Sequence, residues 1–555
     1  MQRQSFNTAL CRHKAVSCCP DTNMSPCSQK ATRTPSNPLN EKIRLHSKKI
    51  AVEFCDGTPI HGIKHLIGKD KLLVERIWWI TFFVLSLYFC FNYIHSVYER
   101  WLIDPIIVSF DHQAASIYTI PFPAVTICPE TKVKASELNV SHTFMLVRNG
   151  ELNETIDKER VQKLMALLQL CDLDLYDRSK KTFNDTDMLS LLRNMSIPSF
   201  EVFSACYWKG RQRECLDLFK TSLTDKGFCY TFNSLANNDI LRKEELDPKY
   251  AFNSETRASD WSLDAGYTVG AGSHSFPHRT ITGGYHGGLA VTLLVNTSDV
   301  DYFCGNSFQG FKVFLHMPNE YPQPYHFFRI PMDHELIVTV NPYVMAIERQ
   351  AQQYPADIRK CYSTNERYLR FFKIYTKQNC EIECLTNYTF NMCGCVRFSM
   401  PRPPGVPICS LRDNPCYRKA LVSVQKIEAK AVDESEDTPE GYCNCLPTCN
   451  DIEYQTQVSQ AHWEWERNVL EKQSPSASVH QSKIVIHFKQ PNFIPLKRSE
   501  INGLSDMIAN CGGLLGLFMG ASILSVVEMF YYCTLRPYAI WRLSKQEAVS
   551  GEESM

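Results

Sequence analysis

The sequence has no excess charge of either sign. Lys plus Arg and Asp plus Glu each total 59 in 555 residues, so the chain lacks the electropositive footprint with which proteins hold nucleic acids and other polyanions. Nucleic acid is therefore not an expected partner. The short motifs of common chemistries are missing too: there is no G-x-S-x-G elbow, no phosphate-binding P-loop and no H-E-x-x-H zinc helix. Scattered His, Asp and Glu form no constellation in their place, which argues against an enzyme and leaves no metal or cofactor to expect. The N-terminus has no apolar stretch that could serve as a cleaved signal peptide, and no internal repeat is evident beyond the two apolar segments described next. Residues 1–50 carry few apolar side chains among Ser, Thr, Asn, Pro and Lys. That is too few to offset ordering entropy, so a disordered tail is expected there.

Two apolar segments stand out. Ile77 to Ile94 contains no charge, and its 18 residues span roughly 27 Å as a helix, enough for a hydrocarbon core. Cys511 to Cys533 carries a single charge, Glu528. Buried core helices are the plain alternative for both. Eight Lys or Arg fall in residues 41–76, against only Arg100 in the twenty after the first segment. The positive-inside rule then puts both termini in the cytoplasm and the intervening loop outside a plasma membrane. Asn139, Asn153, Asn184, Asn194, Asn296 and Asn387 all begin N-x-S/T signals in that loop, as expected for a glycosylated exterior. Asn23 begins one as well, on the cytoplasmic side, where it is expected to stay unmodified.

Cysteine is abundant. Of 24 in the chain, sixteen lie between the two segments: Cys128, Cys171, Cys206, Cys215, Cys229, Cys304, Cys361, Cys380, Cys384, Cys393, Cys395, Cys409, Cys416, Cys443, Cys445 and Cys449. Outside the cell this density reads as a disulfide framework. Zinc binding is the competing reading, although the spacings are not paired C-x2-C. Cysteines one residue apart do not readily bond each other, so Cys393 and Cys395, and Cys443 and Cys445, should reach separate partners and stiffen the stretch into a rod. Residues 288–295, 311–317, 335–341 and 483–489 are β-branched or alternating and read as strands. Ile156, Val161, Leu164, Leu168 and Cys171 approximate a helical stripe. The glycine-rich stretch from Asp264 to Gly288 reads as an exposed loop.

In the second segment Gly512, Gly516 and Gly520 recur every four residues near one helix face, with Gly513 beside them. Small residues let helices approach closely, so a packing seam is one reading. Ser522 and Glu528 favour another, because a carboxylate at membrane depth normally faces a bundle interior or water, and a ring of them attracts cations. Two spans cannot enclose a pore alone, which implies a cyclic oligomer. The expected fold is thus a membrane protein with two transmembrane helices flanking a large, disulfide-rich, mixed α/β extracellular domain with a β-rich core. Its divisions are 1–75 (cytoplasmic), 76–95 (first transmembrane helix), 96–500 (extracellular), 501–535 (pore-lining second transmembrane helix) and 536–555 (cytoplasmic tail).

From Phe54 to Arg542 the chain resembles the degenerin/epithelial sodium channel family. The resemblance rests on Ile60-His61-Gly62 before the first span, FPAVTICP at 122–129, the cysteine array beginning at Tyr375, and Gly520-Ala521-Ser522. DWSLDAGY (260–267), CVRFSMPR (395–402) and CNCLPTC (443–449) resemble the insect pickpocket branch. The resemblance implies a trimeric, sodium-selective, amiloride-sensitive channel of identical or related subunits, with sodium as the permeant ion and an extracellular ligand or tether as a further partner. It implies Gly520, Ala521 and Ser522 as the selectivity filter, Gly516 as the amiloride position, and His61, Gly62 and Ala509 as gating residues. Glu383, Phe390 and Cys511 depart from the family's usual residues. The tail has no Pro-Pro-x-Tyr ligase-docking sequence. An ATP-gated trimer, a doubly anchored adhesion receptor and a surface hydrolase are the alternatives, and the Gly-Ala-Ser sequence and cysteine order count against the first.

Overall fold

The computed structural model describes residues 38–67, 72–103, 105–152, 157–171, 188–304, 308–322, 326–434, 443–468, 478–501 and 503–552. Asn23, Asn153, Asn184 and Ile156 fall outside them. The chain forms two compact units, Met1–Tyr98 with Ser505–Met555, and Glu99–Leu504.

The smaller unit is helical. Helix α1 (Pro38–Gly57) includes residues 38–50, so the disordered tail expected over 1–50 does not extend to them. Pro38 suits a first helical position, and α1 is held by tertiary contacts that composition does not reveal: Glu53 accepts hydrogen bonds from Arg536 Nε and Nη2 (3.1 and 3.0 Å) and Phe54 meets Tyr532 edge-on. Helix α2 (Leu73–Ile103, 31 residues) is long and apolar enough to cross a membrane. It outruns the uncharged window at both ends because its polar flanks contain no Gly or Pro until Pro105.

The second apolar segment is not one helix. It consists of α5 (Leu504–Met519) and α6 (Ile523–Cys533), and the helical path bends by 73° at the break between Met519 and Ile523. Helix α7 (Leu535–Glu552) follows.

The larger unit is built on two sheets. The eight-stranded sheet comprises β1 (Ile106–Phe110), β3 (Phe203–Trp208), β4 (Arg211–Arg213), β7 (Leu289–Asn296), β10 (His334–Ile347), β11 (Asp451–His462), β12 (Val479–Phe488) and β13 (Leu496–Glu500). Its order is β1-β13-β10-β12-β7-β3-β4, with β11 also paired to β10. A five-stranded sheet has the order β9 (Phe327–Ile330), β8 (Phe311–His316), β2 (Ala124–Pro129), β6 (Gly227–Phe232), β5 (Phe219–Thr224). All four strands expected from sequence are present. Along β7, Leu289, Val291, Leu293 and Val295 are buried in strict alternation, the pattern of a strand with one face on the core. Phe122 anchors that core, meeting Trp208, Phe232 and Phe488 edge-on at 5.0–6.1 Å, a geometry that adds to the area each ring buries.

The expected helical stripe forms Lys158–Leu168, with Val161, Leu164 and Leu168 buried. The glycine-rich 264–288 stretch is not simply exposed. Phe276, Arg279 and Thr280 are buried, and the Arg279 guanidinium lies 3.8 and 4.0 Å from the Tyr118 and Tyr267 ring centres. That cation–π sandwich draws the loop inward.

All sixteen cysteines of the larger unit are paired: Cys128–Cys229, Cys171–Cys304, Cys206–Cys215, Cys361–Cys449, Cys380–Cys445, Cys384–Cys443, Cys393–Cys416 and Cys395–Cys409. The close pairs reach separate partners as expected, and zinc is not needed to explain them. Helix α3 (Lys377–Cys393) is the scaffold. Cys380 and Cys384, one turn apart, bond Cys445 and Cys443, which makes two rungs of a ladder; helix α4 (Asn414–Glu434) joins it through Cys393–Cys416. Thr376 caps the start of α3, and Gly394 ends it in the left-handed conformation. Glu383, a departure from the family's usual residue, accepts the Arg370 and Phe371 amides, both at 2.9 Å. The free cysteines among the described residues, Cys55, Cys90, Cys511 and Cys533, all belong to the smaller unit. Asn139, Asn194, Asn296 and Asn387 are exposed, as glycan attachment requires.

Candidate functional site

The break between α5 and α6 falls on Gly520-Ala521-Ser522, and local chemistry explains it. Gly520 has φ +66°, a left-handed conformation that is costly for any residue with a Cβ. Its amide still bonds the Gly516 carbonyl (2.9 Å), and the Ala521 amide turns back to Leu515 (3.3 Å). Ser522 then starts the next helix with a capping box: its hydroxyl accepts the Ser525 amide (3.3 Å), and the Ser525 hydroxyl accepts the Ser522 amide (3.0 Å). A glycine stop and a serine start two residues apart thus convert one apolar run into two helices. The four-residue glycine spacing read from the sequence therefore does not describe one continuous helix face, because Gly520 lies beyond the end of α5.

The Ile60-His61-Gly62 turn packs on this break. The His61 amide donates to the Met519 carbonyl (2.9 Å), satisfying one of the carbonyls that a helix C-terminus leaves unpaired. The His61 ring covers Gly520 so closely that an added Cβ would sit 2.7 Å from Cδ2 and 2.9 Å from Nε2. Gly62 has φ +91°, and a Cβ there would lie 3.4 Å from Phe83. His61 and Gly520, 459 positions apart in the chain and each read individually from sequence, thus form one contact.

Helix α2 completes the arrangement with residues that sequence reading did not single out. Ser86 Oγ donates to the Phe518 carbonyl (2.7 Å), and Tyr93 stacks on the Phe518 ring at 5.8 Å. Ser86 and Tyr93 are seven positions apart, the spacing of one helix face. A polar side chain in that register on an apolar helix was the available signal. The other expected residues are not drawn together within the chain. Ala509, Gly512, Gly513 and Gly516 are exposed, with open space beyond Gly512 and Gly513. Glu528 is half-buried, and one of its carboxylate oxygens is buried with no hydrogen-bond partner among the described residues.

The larger unit carries a separate polar feature, a cavity of about 610 Å³ lined by His316, Glu320, Lys377, Glu381, Asp451 and Tyr454 among others. Burial, then the neighbouring Asp451 carboxylate, pushes Glu320 up to about 8. Burial also raises Asp451 and Glu381. A carboxyl whose native pKa is raised holds its proton when the unfolded chain has lost it, so its contribution is fully present below the unfolded value and is lost as pH rises through the native one. Glu320→Gln, which fixes the neutral form, should therefore match wild type in thermal unfolding at pH 4, below the unfolded value, and exceed it at pH 8.5. Equal melting temperatures at pH 8.5 would refute the shifted carboxyl.

Comparison with known proteins agrees with this architecture. Residues 54–532 match the amiloride-sensitive sodium channel family. The chain is 27% identical to Pickpocket protein 28 of Drosophila melanogaster over 523 residues, 91% of this chain and 81% of that protein. It is 23% identical to the sodium channel protein Nach of the same species, covering 86% of each chain, and 23% identical to human acid-sensing ion channel 2, covering 86% of this chain and 85% of that one. The family and the latter two relatives are ion channels and not enzymes. A disulfide-rich, β-based unit joined to apolar helices, with a family match over most of its length, makes this chain a member of the amiloride-sensitive sodium channel family.

Proposed function

We propose that the chain is one subunit of a trimeric, sodium-selective, amiloride-sensitive channel of the plasma membrane, with both termini in the cytoplasm and residues 96–500 outside. The observation that carries the reading is the non-helical break at Gly520-Ser522 within an otherwise apolar segment. Irregular backbone at membrane depth is tolerated only where protein buries it or water lines it. Three copies of the break around an axis would form a narrow ring of small residues and serine hydroxyls able to replace part of an ion's hydration shell. In this arrangement Gly520, Ala521 and Ser522 form the filter, Gly516 lies one turn above it at the amiloride position, and Glu528 supplies negative charge on α6. Ala509, with Gly512 and Gly513, lies on the α5 face where copies meet. The His61-Gly62 turn, seated on the break, couples the N-terminal region to the filter as a gating element. The cysteine ladder on α3 supplies a stiff lever through which an extracellular ligand or tether acts.

Whole-cell recording tests this. Replacing external sodium with potassium should move the reversal potential in the negative direction, and amiloride should remove the current. An unmoved reversal potential would overturn the sodium preference. Single-molecule photobleaching of a tagged chain expressed alone should give three steps, and any other modal count would overturn the trimer.

A further inference from the structure

The eight-stranded sheet brings two histidines face to face at one end. His334 opens β10 and His462 closes β11, and the two are direct antiparallel partners, so their side chains project from the same face. Their ring centres are 5.4 Å apart with the planes inclined by 72°. Two imidazoles sharing a tetrahedral ion at Zn–N distances of about 2.0–2.1 Å stand with ring centres roughly 5 Å apart. The observed pair already has that separation.

The hydrogen bonding of His334 suits coordination through its other ring nitrogen. Its Nδ1 lies 2.7 Å from the Met332 carbonyl, which can only accept, so Nδ1 carries a hydrogen and Nε2 is the nitrogen available to an ion in the neutral ring. A backbone carbonyl on the second ring nitrogen is the usual outer-shell support of a metal-bound histidine. The surrounding backbone is held firmly. Asp333, at φ +57°, accepts the Trp463 amide on its carbonyl (2.7 Å) and the Trp465 indole on its carboxylate (2.8 Å), and the same carboxylate lies 2.7 Å from His480 Nδ1. The strand ends that carry both imidazoles are thus pinned before any ion arrives. His462 is exposed and His334 half-buried, so an ion has access from solvent. Among the described residues no group of three or more His, Cys, Asp or Glu is placed to hold a metal, so an ion here would have two protein ligands and water would complete its shell.

We infer that His334 and His462 form a two-histidine site for a borderline-soft divalent cation such as Zn2+, bridging the ends of β10 and β11. The site lies in the larger unit and does not depend on the filter assignment. A bridging ion would tie the end of β11 to β10, which also pairs with β12 and β13, and so would restrain the centre of the sheet.

The test is thermal unfolding of the purified full chain in detergent at increasing Zn2+, in wild type and in His334→Gln, His462→Gln and His286→Gln. An ion that binds only the folded state raises the midpoint according to its free concentration relative to Kd. Wild type and His286→Gln, which changes an exposed histidine elsewhere, should respond alike. His334→Gln and His462→Gln should each need about tenfold more Zn2+ or more for the same shift, and the double variant should lose less than the two single losses combined, since either ligand's loss already opens the chelate. His462 is exposed, so its variant remains informative if His334→Gln does not fold. A wild-type Zn2+ response in His462→Gln, or an equal loss in His286→Gln, would overturn the site.

Discussion

Cells expressing Ala509→Val should carry at least about tenfold more amiloride-blocked sodium current than cells expressing wild type at equal surface density. The expectation follows from the unoccupied face of α5. Ala509, Gly512, Gly513 and Gly516 follow the i, i+3, i+4, i+7 spacing of one helical face, all are exposed, and a Cβ at Gly512 or Gly513 meets nothing. In the proposed trimer this face meets its copies, where residues this small allow close approach. Valine adds two methyl groups where three helices converge and should hold them apart. Its intrinsic cost in a helix is only a few tenths of a kcal/mol, so folding and delivery should survive. Surface protein with wild-type current would refute the placement of Ala509 at a helix–helix contact. Surface protein with no current in either form would mean that identical copies do not suffice for conduction.

Gly520→Ala should abolish most of the current in that open background, and His61→Ala should restore part of it. Alanine at position 520 would carry a Cβ in the left-handed region, at about 1–2 kcal/mol, and would place it 2.7 Å from the His61 ring, well inside van der Waals contact. Either the ring moves off the break or the break straightens, and both disturb the proposed filter. Removing the imidazole relieves the collision but not the backbone strain, so the rescue should be partial, and the two substitutions should be strongly non-additive, as for residues in contact. Independent effects of the two on current would show that His61 and Gly520 do not meet in the conducting protein.

Much of the fold was legible from local pattern. The alternation of Leu289, Val291, Leu293 and Val295 identifies a half-buried strand because the side-chain period of a strand is two. The separation of Cys393 from Cys395 requires two partners because adjacent rungs cannot close on each other. The break in the second apolar segment was written there too, as a glycine followed two residues later by a serine with another serine three positions on, but hydropathy averages over such caps and returns one uninterrupted span. Helix α1 was missed for a different reason. Its stability comes from Glu53 to Arg536 and Phe54 to Tyr532, partners more than 470 positions away that no window over residues 1–50 contains.

The sequence by itself determined which residues are apolar enough for membrane-length helices, where the cysteines cluster and which family the chain resembles, because each of these is a property of residue type and spacing. Tertiary structure alone decided which cysteine meets which, that His61 rests on Gly520, and that His334 faces His462 across two strands. Those are distances between segments far apart in the chain. They are fixed only when sheet register and helix packing close the loops between them, at an entropic cost that local sequence does not encode.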